Sequence, residues 1–119
     1  MKERMINVVT PDGKMETFVT HPEDVGPFAT VVVYLDIWGV REELFEIARR
    51  IATVGYYCLV PNFYYRQGKI TNSFRDDDNR MISLHKLDQK TQNEVQTPRR
   101  KLSDTMVIRD TGALIEFLR

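Results

Sequence analysis

Val31-Val-Val-Tyr-Leu-Asp-Ile-Trp-Gly-Val40 is an apolar, β-favouring run that ends abruptly in an acid, an aromatic and a glycine. Residues 29–35 lack the alternation of a half-exposed strand. A strand buried on both faces implies helices above and below a mostly parallel sheet. Beyond it, Leu44, Ile47, Ala48, Ile51 and Ala52 fall on one stripe of a helix opening at Arg41, with charges opposite. Gly55 closes that helix as a C′ glycine does, and residues 56–60 make a second buried strand stopped by Pro61. Residues 29–61 therefore form a βαβ unit, whose crossover is expected to be right-handed.

Working outward, residues 5–9 and 15–20 flank Thr10-Pro-Asp-Gly-Lys14. Pro11 presets φ, Asp12 can bond its own backbone and Gly13 tolerates positive φ, so the pair reads as an antiparallel hairpin. With the Pro22, Gly26 and Pro27 loop that follows, residues 1–28 are hairpin and loop. Residues 67–97 are polar, with scattered Ile70, Phe74, Met81, Ile82, Leu84 and Leu87. A structureless stretch of that length is unusual in a compact domain, so a lid or insert holding a short helix over 83–95 is expected. Thr97-Pro98 reads as an N-cap with proline at N1. It opens a last helix over 98–119 whose apolar face is Leu102, Met106, Ala113, Leu114, Phe117 and Leu118.

A chain of 119 residues is one domain at most. Acids and bases number 17 each, so no global field favours nucleic acid or an anionic membrane. No stretch approaches the roughly 18 apolar residues of a membrane span, and residues 1–6 show no apolar core of a secretory leader. One cysteine, Cys58, excludes an internal disulfide and fits a cytoplasmic, reducing compartment. The partner class left is a small molecule or a protein surface.

Two segments carry a resemblance: Asp36-Ile-Trp-Gly39 after the first buried strand, and Pro61-Asn-Phe-Tyr-Tyr-Arg-Gln67 after the second. Residues 30–68 resemble the dienelactone hydrolase (carboxymethylenebutenolidase) family of α/β-hydrolases. Its members carry a strand ending in Glu-Ile-Phe-Gly and a later Pro-Asp-Leu-Tyr-x-Arg-Gln. The resemblance implies an α/β, three-layer α/β-hydrolase fold, truncated before the nucleophile elbow, with residues 1–119 as the N-terminal half of one domain. It implies hydrolysis of small lactones or esters, without cofactor or metal, through a cysteine or serine absent from this chain; the elbow Gly-x-Ser/Cys-x-Gly does not occur in it. The fold's strand order pairs residues 29–35 with the nucleophile strand. Without that strand, residues 31–35 form an open apolar edge suited to self-association. The alternative reading is thus a non-catalytic half-fold that binds a protein partner through this edge.

The resemblance also assigns site residues. The Ile37 backbone N–H stands where the family's oxyanion loop donates to a developing oxyanion. Asp36 replaces a glutamate that contacts the family's cysteine nucleophile, and it is one methylene shorter; the competing reading is a cap for the next helix. Trp38 either lines the pocket or simply packs. Tyr65 and Arg66 are substrate-binding candidates, since Arg66 could fork onto a substrate carboxylate; an ion pair within the lid is the competing reading. Asn62 replaces the motif's aspartate. Cys58, mid-strand and without flanking glycines, is not a nucleophile candidate, and His21 and His85 lie where no triad histidine belongs and should be solvated. Asp76-Asp-Asp78-Asn79 lacks the glycine and glutamate of a calcium loop and reads as a solvated turn. Pro98-Arg-Arg-Lys101 has no aromatic interleaving for nucleic acid. A nucleotide-binding βαβ unit is disfavoured, because Gly39 stands alone where Gly-x-Gly-x-x-Gly is needed.

Overall fold

The computed structural model describes residues 1–68 and 74–119, so the expectation for Ile70 lies outside the described residues. Strands β1 (Lys2–Thr10) and β2 (Gly13–His21) pair antiparallel in unbroken register from Lys2↔His21 to Thr10↔Gly13. The two-residue turn is Pro11-Asp12, as the sequence predicts. The Thr10 hydroxyl accepts the Asp12 N–H at 3.2 Å, and Gly13 takes the positive φ of 145°.

Strand β3 (Ala29–Val32), helix α1 (Glu42–Ala52) and strand β4 (Tyr56–Pro61) form the expected strand–helix–strand unit, with β3 and β4 parallel. The described sheet runs β1-β2-β4-β3, and β4 pairs antiparallel with β2. The expectation of a mostly parallel sheet is corrected: only the β3–β4 pairing is parallel, because the hairpin joins the βαβ unit through an antiparallel β2.

Strand β3 is shorter than the predicted 29–35, and the reason is chemical. The Val33 N–H donates to the Leu59 carbonyl at 2.8 Å. The next bond of a parallel ladder would run from residue 61 back to the Val33 carbonyl, and Pro61 has no N–H. Residues 34–40 leave the sheet at that point as a loop.

Two apolar clusters, one on each sheet face, give the three layers. Val8, Met15, Val19, Leu59, Phe63 and Leu114 pack on the face covered by helix α3 (Asp104–Phe117), with Val32 against them. Phe18, Leu44, Ala48, Ala52, Cys58 and Val60 pack on the α1 face, joined by Val31 and Val33. Alternation along β3 and β4 thus feeds both layers. Ile47, predicted in the α1 core stripe, is instead 45% exposed, as are Phe117 (42%) and Leu118 (38%) at the end of α3. Gly55, φ 106°, turns the chain two residues beyond the helix cap Thr53.

Residues 74–97, within the stretch expected to be a lid or insert, hold regular structure. Arg75 and Met81 form an antiparallel bridge around a turn, and the 3-10 turn Leu84–Lys86 precedes helix α2 (Gln89–Lys101). Asp88 caps α2 by accepting the Thr91 N–H at 2.7 Å. The predicted single helix over 98–119 is corrected. Pro98 lies in the last turn of α2, where the Thr97 hydroxyl donates to the Asn93 carbonyl at 2.7 Å. The chain then breaks at Leu102, and Ser103 caps α3 by accepting the Met106 N–H at 3.2 Å. No described helix is long and apolar enough to cross a membrane.

Candidate active site

The loop leaving β3 closes into a turn over residues 36–39. The Gly39 N–H donates to the Asp36 carbonyl at 3.1 Å, and Gly39 takes a φ of 83°. The Trp38 N–H donates to Asp36 Oδ1 at 3.0 Å. Two of the turn's N–H groups are thereby satisfied, while among the described residues no acceptor takes the Ile37 N–H.

Asp36 does not cap α1. Its carboxylate caps its own turn and receives a two-pronged pair from Arg41, at 2.7 Å to Oδ1 and 2.9 Å to Oδ2. Arg41 also donates to the Gly39 carbonyl at 3.0 Å and to Glu43 at 2.8 Å. The bond to Asp36 holds the guanidinium more firmly protonated than usual. Asp36 remains 48% exposed, so one side of the carboxylate faces solvent. Trp38 is half-buried, its ring 6.4 Å from that of Phe74 and tilted by 55°. Tyr64, wholly buried, donates from its hydroxyl to the Asp36 carbonyl at 3.4 Å. Burial, with the nearby Asp36 charge second, pushes its phenol upward.

Tyr65 and Arg66 are placed elsewhere. Arg66 Nη1 and Nη2 each donate to Asp110 at 2.9 Å, and Nε donates to Asp12 at 2.8 Å. The Tyr65 hydroxyl donates to Asp110 Oδ1 at 3.0 Å and contacts the Thr10 hydroxyl at 2.5 Å. The guanidinium lies over the Tyr65 ring, 4.6 Å from its centroid. Asp110 is completely buried. The fork offered to a substrate carboxylate is occupied by carboxylates of the hairpin turn and α3, not of the lid. The named site residues therefore divide into Asp36, Ile37 and Trp38 on one loop, and Tyr65 and Arg66 in an internal clamp.

Sequence reasoning missed Arg41, Tyr64 and Asp110. Asp110 left a signal: it lies four residues after Met106 and four before Leu114, inside the apolar stripe of its helix. A charge at such a position needs a buried partner. Cys58 is fully buried against α1, and burial pushes its thiol up. His85 is exposed, whereas His21 is half-buried and stacked 5.1 Å from the Tyr57 ring, which corrects its expected solvation. Asp76 accepts the Asp78 and Arg80 N–H groups at 2.9 and 3.0 Å, closing its own turn. Among the described residues no group of three or more His, Cys, Asp or Glu is placed to hold a metal ion.

Comparison with known proteins agrees with this architecture. The dienelactone hydrolase family profile matches residues 15–112. A Methylorubrum extorquens protein named "Putative carboxymethylenebutenolidase" is 35% identical over 66 residues, which are 56% of this chain and 23% of that protein. Proteins of the same name from Escherichia coli K12 and Saccharolobus solfataricus are 41% identical over 51 residues and 33% identical over 70. Those matches cover 43% and 59% of this chain, and only 18% and 26% of the relatives. In these matches the chain thus covers about a fifth to a quarter of the length of the curated relatives. The crystal structure of a Klebsiella pneumoniae protein named "Putative Dienelactone Hydrolase" superposes with a TM-score of 0.74 at 22% identity, covering 98% of this chain and 42% of that one. That likeness speaks for the fold. With a profile match running from β2 into α3 and a three-layer α/β architecture, the chain belongs to the dienelactone hydrolase family.

Proposed function

We propose that this chain supplies the oxyanion loop of a cytoplasmic hydrolase that cleaves small lactones or esters by acyl transfer. The nucleophile, cysteine or serine, and its triad partners would come from sequence outside these 119 residues. The observation that carries the reading is the Ile37 N–H, which has no acceptor among the described residues and sits at the carboxyl end of β3. Open α/β sheets bind ligands at that end of their strands. A preorganised donor of this kind contributes about 3 kcal/mol to stabilising an oxyanion. Asp36, with one side open to solvent, would face the nucleophile, and Trp38 would line the pocket. Arg66 would reach a substrate carboxylate only by exchanging Asp110 or Asp12 for it, and Tyr65 would have to leave the same clamp.

The test is hydrolysis of an activated aryl ester, alongside the intact mass of the polypeptide made by the native source. Turnover should accompany a longer polypeptide and vanish on substitution of its nucleophile. A rate carried by the 119 residues alone and abolished by Cys58→Ala would refute the proposal.

A second reading, a non-catalytic half-fold that binds a protein or a second copy of itself, is favoured by one observation. Among the described residues β3 is paired on one side only, and residues 29–35 carry no charge to blunt the free edge. Sedimentation at low concentration tests it: a symmetric dimer lost in Thr30→Lys, on the exposed part of β3, supports this reading, and a monomer opposes it.

A further inference from the structure

Three consecutive residues after β4 are each anchored to a different part of the fold. Tyr64 reaches the 36–39 turn, Tyr65 reaches Thr10 and Asp110, and Arg66 reaches Asp12 and Asp110. The segment itself is stiff. Asn62 accepts the Tyr65 N–H on its carbonyl at 3.1 Å and the Tyr64 N–H on its side chain at 3.1 Å, and the Gln67 N–H donates to the Tyr64 carbonyl at 2.9 Å. Where residues 65 and 66 are held, Tyr64 is held too.

The far end of this linkage is a single peptide unit. The Asp36 carbonyl and the Ile37 N–H share one rigid plane and point in opposite directions. That carbonyl receives two donors, the Tyr64 hydroxyl at 3.4 Å and the Gly39 N–H at 3.1 Å. Fixing the carbonyl aims the N–H. At the near end, buried Asp110 accepts three hydrogen bonds, two of them from a guanidinium. Buried charge-assisted bonds resist rotation of Tyr65 and Arg66 more than any exposed contact would.

We infer that Asp110 is a positioning residue for the Ile37 N–H, acting through Arg66, Tyr65 and Tyr64. Its functional meaning rests on the oxyanion reading of that turn; the mechanical coupling does not. Helix α3, whose Thr111 also meets Tyr34 at the start of the same loop at 2.9 Å, thereby bears on the direction of a donor to which none of its own residues bonds.

Trp38 is the only tryptophan, so its emission reports on this turn alone, and the backbone amide signals of Ile37 and Gly39 report on it directly. Tyr64→Phe, which removes only a hydroxyl, should shift those amide signals and change Trp38 emission while leaving far-ultraviolet circular dichroism intact. Asp110→Asn should shift the same signals. The double variant should add nothing beyond either single change, as expected for residues in one linkage. Unshifted Ile37, Trp38 and Gly39 signals in a folded but less stable Asp110→Asn protein would overturn the inference, since a purely structural carboxylate does just that. If Asp110→Asn does not fold, Thr10→Val loosens Tyr65 from its other side and decides the matter by the same signals. Coupled shifts without aryl-ester turnover by the native enzyme would uphold the linkage and count against the oxyanion reading alone.

Discussion

Removing the Asp110 carboxylate should be among the most damaging single changes this fold can suffer. Asp110→Ala deletes the acceptor for both terminal nitrogens of Arg66 and for the Tyr65 hydroxyl. It leaves a guanidinium whose side chain is only 17% exposed, held by Asp12 alone. Taking one partner from a buried pair costs about 3–5 kcal/mol. The remaining bond to Asp12, which is itself exposed, still satisfies part of the guanidinium and argues for the lower end, about 3 kcal/mol. Against a total stability of about 5–15 kcal/mol for a domain, that is a large share. With a urea dependence of about 1.5 kcal/mol per molar, the unfolding midpoint should fall by about 2 M. Circular dichroism in urea reads this directly. Replacing both partners, Arg66→Met with Asp110→Leu, should cost less than Asp110→Ala alone, because no buried charge is orphaned. A loss below about 1 kcal/mol for Asp110→Ala, or a double variant as costly as the two single changes added together, would refute the reasoning.

Alkali should unfold the protein earlier than unshifted groups would. Cys58, Tyr64 and Tyr65 all have raised folded values, burial being the first cause in each. The folded state therefore holds more protons than the unfolded one above about pH 8.5, where free thiols and then phenols begin to ionise. Stability is fully present below that range and should decline as pH rises through it, measurable as a falling urea midpoint between pH 8 and 11. Leu114→Ala should cost about 2–5 kcal/mol by opening a cavity where α3 meets the sheet, read from the same titration. Ser103→Ala should cost about 1 kcal/mol through loss of the α3 cap, and Ser103→Asp should restore it.

The hairpin and the βαβ unit were legible because each rests on local chemistry. A Pro-Asp-Gly turn needs no distant partner, and the α1 stripe and the unbroken valines of β3 report burial directly. What failed did so where the deciding atom lay far off in sequence. The length of β3 depends on the missing N–H of Pro61, which acts across a ladder. The break between α2 and α3 is set by Leu102 and Ser103, although Thr97-Pro98 carries the stronger start signal; the Thr97 hydroxyl turns back to Asn93 instead of capping. In the site, Asp36, Ile37 and Trp38 could be placed together because they share one turn. Arg66 could not be assigned, since its partners Asp12 and Asp110 lie 54 and 44 residues away. Only the misfit of Asp110 in an apolar stripe hinted at them.

The position of β4 between β2 and β3 has a consequence for the order of assembly. The β1–β2 hairpin closes over a two-residue turn and can form as soon as His21 is available. Strand β3 has no such neighbour; its described pairing is with β4, whose first residue comes 24 positions after Val32. Until Tyr56 to Pro61 are in place, neither the hairpin nor the valines of β3 have anything to join. Loop closure over α1 must then precede any reward from the sheet, which makes β4 docking the slow, concerted event of folding. A nascent chain therefore carries its most apolar strand unpaired for the whole interval in which α1 is being made, and that interval is when it most needs protection from other chains.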